Sequence, residues 1–165
     1  MRPKVTWLLC GLMLAALALL SPRVMVDPDA LTHIATGRWI AEHRSVPAHD
    51  PFTFPRPQAR WHNPEWLGDL GWYSAWRLGS VPIQTVKLGV IGAGLLLVVC
   101  QARKLGASVP IAVLLLLFLM PASVARFTLR NHIHALWLAP LYGLVIHAAW
   151  RHRRLWLLLL PLGWM

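Results

Sequence analysis

Six carboxylates are the only acidic side chains in this chain, and all of them lie between positions 27 and 69: Asp27, Asp29, Glu42, Asp50, Glu65 and Asp69. Sixteen Lys and Arg residues are spread far more widely. Asp27 and Asp29 flank Pro28, and His33 follows Asp29 by one helical turn, so that on a helix Asp29 and His33 share a face. Paired carboxylates present the oxygen ligands that a divalent cation such as Mg2+ or Mn2+ prefers. A carboxylate beside a histidine can equally take a proton from an acceptor hydroxyl. Spacing leaves both roles open. Asp27, Asp29 and His33 are therefore candidate catalytic residues, with Asp27 and Asp29 also candidate metal ligands. Asp50, His62 and Glu65 are candidate substrate contacts. The plainer alternative makes Asp27 a helix cap, worth about 1 kcal/mol, and leaves Asp29, His33 and Asp50 as solvated loop residues.

The elements that must position these groups are helical. In "DPDALTHIATGRWIAEH" Asp27 suits an N-cap, Pro28 the first helical position, and Asp29 the positive end of the helix dipole. Leu31, Ile34, Ala35, Trp39 and Ile40 recur at helical spacing and form an apolar stripe that can lie on a membrane or pack on a bundle. "EWLGDLGWYSAWRLG" reads as a second short amphipathic helix, whose Trp66, Trp72, Tyr73 and Trp76 suit a bilayer interface. Between the two lies a turn-rich segment with five prolines from position 47 to 64.

Around this acidic segment the chain is a membrane protein by composition. It is 57% hydrophobic and 13% charged, with ten Trp, against about 45–50% and 25% for soluble domains. Apolar runs at 5–20, 81–100, 109–125 and 133–150 predict four spans, and "LWLLLLPLGWM" begins a fifth that covers about half a bilayer core. The expected fold class is all-α: a polytopic transmembrane helix bundle with a large extracytoplasmic loop after the first span. Residues 1–22 are expected to be a retained signal anchor, 23–80 the acidic and aromatic loop, and 81–165 spans two to four with the start of a fifth. That unfinished span suggests the front part of a longer protein. Pro121 should kink or end the third span, and Lys87, near the start of the second, should snorkel to the interface. Gly89 and Ala93 predict a close helix contact, and Cys10 and Cys100 read as small buried hydrophobes.

Orientation follows from the short loops. Arg2, Lys4, Arg103, Lys104, Arg151, Arg153 and Arg154 fall on one side if the first four spans alternate, and Arg126 and Arg130 on the other. The positive-inside rule then puts the N-terminus in the cytoplasm and residues 23–80 outside, periplasmic in a Gram-negative cell and extracytoplasmic in general. "RHRR" at 151–154 can bind anionic headgroups, but reads first as a topology determinant. The net charge of +10 does not point to nucleic acid, because the basic residues punctuate apolar runs instead of gathering on one water-facing surface. "NHIH" at 131–134 places His132 and His134 two apart, off a common helix face, and reads as interfacial rather than metal-binding.

The first span followed by "DPD…H…G.WI…..VP..DPF" and a downstream "W…EWL" resembles a group of bacterial polytopic membrane proteins related to the GT-C class of glycosyltransferases. That class includes the protein mannosyltransferases and the arabinosyl and oligosaccharyl transferases. The resemblance is carried by Asp27, Asp29, His33, Gly37, Trp39, Ile40, Val46, Pro47, Asp50, Pro51, Phe52, Trp61, Glu65, Trp66 and Leu67. It implies a bacterial inner membrane as the location, and an enzyme that takes a sugar from a polyprenyl-phosphate-linked donor in the membrane, with inversion at the anomeric carbon. It also implies an essential acid in the first outer loop, acting as base or metal ligand, and Asp27 and Asp29 both match by position. The class places further substrate contacts in later spans and a C-terminal domain, so the 165 residues alone are expected to be inactive. The alternative is a non-catalytic polytopic membrane protein: an accessory subunit, a transporter half or an inactive truncated remnant. Lys87 is the only Lys or Arg placed within a span, which weighs against transport.

Overall fold

A computed structural model describes residues 3–21, 28–52, 59–154 and 156. Six α-helices account for most of them: α1 (Pro3–Leu20), α2 (Pro28–His43), α3 (Trp66–Trp76), α4 (Ser80–Lys104), α5 (Val109–Ser123) and α6 (Ala135–Arg151). Short 3-10 turns at Val124–Arg126 and Asn131–His134 connect α5 to α6. The described residues contain no β-strand, only an isolated antiparallel bridge between His49 and Arg60.

Three helical stretches are long and apolar enough to cross a membrane: Ser80–Lys104, Val109–Arg126 and Asn131–Arg151. The apolar helix Val5–Leu20 is shorter. Pro121 stands inside α5, which ends two residues later and tightens into the 3-10 turn, as a residue without an N–H and with a ring against the preceding turn dictates.

The chain divides into two compact units. One comprises residues 1–22, 88–127 and 132–165. Here α1 packs on α5. Met13 and Leu17 are the buried stripe of α1, with Ser21 buried just past its end, and Ala112, Val113 and Met120 are that of α5. The rest of α5 is apolar and outward-facing, with Ile111, Leu114, Leu115, Phe118 and Leu119 all exposed. A helix apolar on every side is what a lipid solvent requires. The close helix contact is at Gly94, where an added Cβ would meet the Leu136 carbonyl group of α6 at 2.7 Å. It is not at Gly89, where nothing lies within 4 Å. Cys100 is exposed on α4 rather than buried.

The other unit comprises residues 23–87 and 128–131 and is built on the α2–α3 pair. Ala30, Ile34, Gly37 and Ile40 are the buried face of α2, and Asp69, Trp72 and Ala75 that of α3. Both sets recur every three or four residues, as one side of a helix must. The stripe expected on α2 is therefore rotated, with Leu31 exposed. Trp72, expected at a bilayer interface, is 2% exposed. Lys87, expected to snorkel, is fully buried, in line with Ile83 and Ile91 on α4.

Gly37 sets how closely the two helices pass. A Cβ there would collide with the backbone carbonyl of Asp69 and the Cβ of Tyr73. Gly71, on the exposed side of α3, has nothing within 4 Å. Gly37→Ala should therefore lower stability by about 1–3 kcal/mol through overpacking. Gly71→Ala should be neutral or stabilising by up to about 1 kcal/mol through helix propensity. Thermal unfolding of both variants in detergent decides the matter, and equal shifts would refute the close crossing.

Candidate functional site

The buried face of α3 carries a carboxylate. Asp69 is 2% exposed, and an ionised carboxylate removed from water is costly unless donors surround it. The donors come from three separate segments of the same unit. From α2, His33 places Nδ1 2.8 Å from Asp69 Oδ1. From the 3-10 turn at 131, Asn131 Nδ2 donates to the same oxygen at 2.6 Å. From the segment before α3, Asn63 Nδ2 donates to Asp69 Oδ2 at 2.7 Å.

A second layer aligns the donors. Trp72 Nε1 donates to Asn131 Oδ1 at 2.9 Å, which fixes the amide so that its nitrogen faces Asp69. The amide also lies 3.3 Å from Glu65 Oε2 and 3.4 Å from the Glu65 carbonyl oxygen. Asn63 Oδ1 accepts from the Glu65 backbone N–H at 3.0 Å, an Asx turn that holds the entry to α3. Gly68 makes room for this arrangement, because a Cβ there would collide with the Asn131 side chain.

Asn131 Nδ2 also lies 3.1 Å from His33 Nδ1. An Nδ1 that donates to Asp69 cannot also accept from the amide, whose two hydrogens are directed to Asp69 and Glu65. The imidazole therefore carries its proton on Nδ1, and Nε2 is the nitrogen left for a substrate. The His33 side chain is 16% exposed, against 3% for Asp69. A carboxylate that accepts from a histidine's Nδ1–H fixes the ring and its tautomer.

Each of the other acids in the described residues has a role. Asp29, one turn before His33, pairs with Arg130 at 3.1 Å, both side chains being about half exposed. Glu42 pairs with Arg38 at 2.7 Å on the outer face of α2, and that hydrogen bond holds the Arg38 guanidinium above its ordinary pKa. Asp50 Oδ1 accepts from the Phe52 backbone N–H at 2.8 Å. Asp50 N and Trp61 N donate to the Ala59 and Ala48 carbonyls across the bridge, and Phe52 meets Trp61 edge-on at 6.3 Å.

Of the sequence candidates, His33 and Glu65 thus meet in one network, with Asp29 beside it on α2. Asp50 belongs to the bridge segment, His62 is exposed, and Asp27 lies outside the described residues. No group of three His, Cys, Asp or Glu side chains converges as a metal site among the described residues. Asp69, Asn63 and Asn131 were missed. A carboxylate at a helix position otherwise filled by Trp72 and Ala75 was the available signal for Asp69. Asn131 has no local sequence signal of this role.

Comparison with protein-family models, curated proteins and solved structures finds no match for this chain.

Asn131→Ala strands part of the buried carboxylate and should cost on the order of 3 kcal/mol. Arg130→Ala, which breaks a half-exposed ion pair with Asp29 that water screens, should cost less. Denaturation in detergent measures both, and an Asn131→Ala loss no larger than that of Arg130→Ala would remove Asn131 from its central place.

Proposed function

We propose that this chain is part of an integral-membrane glycosyltransferase in which His33, oriented by Asp69, is the general base that activates an acceptor hydroxyl. The observation that carries the proposal is the 2.8 Å contact between His33 Nδ1 and the buried Asp69 carboxylate, which leaves Nε2 to accept a proton. The resemblance of the segment 26–67 to GT-C enzymes supplies the reaction class: transfer from a polyprenyl-phosphate-linked sugar at an outer membrane face. Three helices of membrane-spanning length are compatible with such a lipid-borne donor.

In this scheme an acceptor hydroxyl hydrogen-bonds to His33 Nε2, gives up its proton as its oxygen attacks the anomeric carbon, and the donor phosphate leaves with the bonding electrons. Asp69 stays ionised and stabilises the imidazolium that forms, while Asn131 and Asn63 keep its two oxygens in place. Asp27 and Asp29 are the positions at which the GT-C resemblance places the essential acid. Asp29 starts from an ion pair with Arg130, so it is available only when that pair opens or shares a ligand. A divalent cation held by Asp27 and Asp29 would supply Lewis-acid assistance to the departing phosphate.

A second reading has its own support. Asp69 is satisfied at both oxygens by donors from three segments, which is also how a polar core fastens helices together in a non-catalytic membrane protein.

Membranes carrying the full-length protein, supplied with polyprenyl-phosphate-linked sugars, separate the two. His33→Asn, whose amide nitrogen can still donate to Asp69, should cut transfer at least about 100-fold, the usual loss for a general base, with no fall in membrane abundance. Asp27→Asn and Asp29→Asn, made singly, should identify which acid transfer needs. A His33→Asn protein whose membrane abundance falls as far as its transfer would favour the structural reading. Undiminished transfer by His33→Asn would end the assignment of the base.

A further inference from the structure

The unit formed by residues 1–22, 88–127 and 132–165 contains no Asp or Glu side chain, yet its helix ends are strongly basic. Two contacts give the relative direction of α4 and α6. Gly94 lies against the Leu136 backbone, and about two turns further along both helices Gln101 lies against Gly143. The helices therefore run in the same direction, and their C-terminal ends lie on the same side of the unit. Those ends carry Arg103 and Lys104 on α4, and Arg151, Arg153 and Arg154 on α6, all exposed. The sequence places these residues nearly fifty positions apart; the parallel packing brings them to one end.

The ordinary purpose of cations at a helix C-terminus is to satisfy its last carbonyls. Here the backbone already does so, in the same way on both helices. On α4, Gly106 takes a left-handed conformation (φ 94°), with Ala107 N donating to Ala102 O at 2.9 Å and Gly106 N to Arg103 O at 3.0 Å. On α6, Arg153 takes the left-handed position (φ 52°), with Arg154 N donating to Ala149 O at 3.0 Å and Arg153 N to Trp150 O at 3.4 Å. Both are Schellman turns, which leave the charged side chains uncommitted. Exposed apolar side chains stand among them: Trp150 at 83%, Leu105 at 71% and Trp156 at 58%. Tryptophans interleaved with cations at the end of membrane-length helices match the headgroup layer of a bilayer.

We propose that this end of the α4–α6 pair is a binding surface for anionic phospholipid headgroups, with Arg103, Lys104, Arg151, Arg153 and Arg154 contacting lipid phosphate and Trp150, Trp156 and Leu105 seated at the acyl boundary. The unit has no acid of its own to neutralise these five exposed cations, so the counter-charge comes from the lipid.

The test uses the full chain in detergent micelles, titrated with phosphatidylglycerol or phosphatidylcholine, with bound lipid counted by native mass spectrometry. The unaltered chain should retain phosphatidylglycerol at least tenfold more strongly than phosphatidylcholine, and excess inorganic phosphate should fail to displace it. A variant with all five cations changed to Gln should lose that preference while keeping its helical circular dichroism. Arg153→Gln with Arg154→Gln, both beyond the end of α6, should weaken retention about fivefold per charge, and this pair carries the test if the five-site variant does not fold. Arg38→Gln, Arg60→Gln and Arg77→Gln together, which remove three cations elsewhere, should leave the preference intact. Equal retention of the two lipids by the unaltered chain, or a preference that survives the cation-free variants, overturns the proposal. Displacement by inorganic phosphate would reassign the surface to a free anion.

Discussion

One buried carboxylate organises the α2–α3 unit. Asp69 lies on the inward face of α3, and a charge in that position is tolerable only while donors from His33, Asn63 and Asn131 reach it. Those residues belong to segments far apart in the chain, so meeting this requirement also ties α2, the entry to α3 and the turn at 128–131 together. Gly37 and Gly68 are the steric counterparts of the same constraint. Each gives up a side chain where the Asp69 backbone or the Asn131 amide must pass, because a network of bonds near 2.8 Å leaves no slack for a methyl group.

The two units solve different solvent problems with one chain. The α2–α3 unit holds all of the acids and uses them in pairs and turns: Asp29 with Arg130, Glu42 with Arg38, Asp50 with the Phe52 amide. The other unit holds none, and its helices present Leu, Ile and Phe outward. Segregation of charge in the sequence is thus a segregation of environments. Carboxylates are costly in hydrocarbon, and a chain with helices of membrane length can keep them only in segments that provide partners or water.

The same physics separates the His33–Asp69 pair from the remaining polar contacts. Arg38 with Glu42 and Arg130 with Asp29 are half-exposed pairs that water screens, and they add little. The His33–Asp69 pair is largely shielded, with side chains 16% and 3% exposed, so its geometry is held by the donors around it. Trp72 takes part by donating to Asn131 Oδ1, which holds the amide that donates to Asp69.

Much of the secondary structure was written in local pattern. Helical spacing, Pro28 at a helix start, Pro121 near a helix end and long apolar runs are one-dimensional signals, and they sufficed to place the helices and to show an all-helical chain with membrane-length segments. They also marked His33 and Glu65 as residues of interest. Which side of α2 faces inward was not decidable locally, because Leu31, Ile34 and Trp39 are comparable in hydrophobicity; the Gly37 crossing against α3 decided it. Nor could the role of Asp69 be read from its neighbours, since a carboxylate is buried only when donors from distant segments converge on it. Asn131 lies sixty-two residues beyond Asp69, and nothing in its own surroundings announces that meeting. Local sequence determined the elements and the sorting of charge, whereas the tertiary structure alone chose the partners, because satisfying a buried charge is a property of the assembled interior.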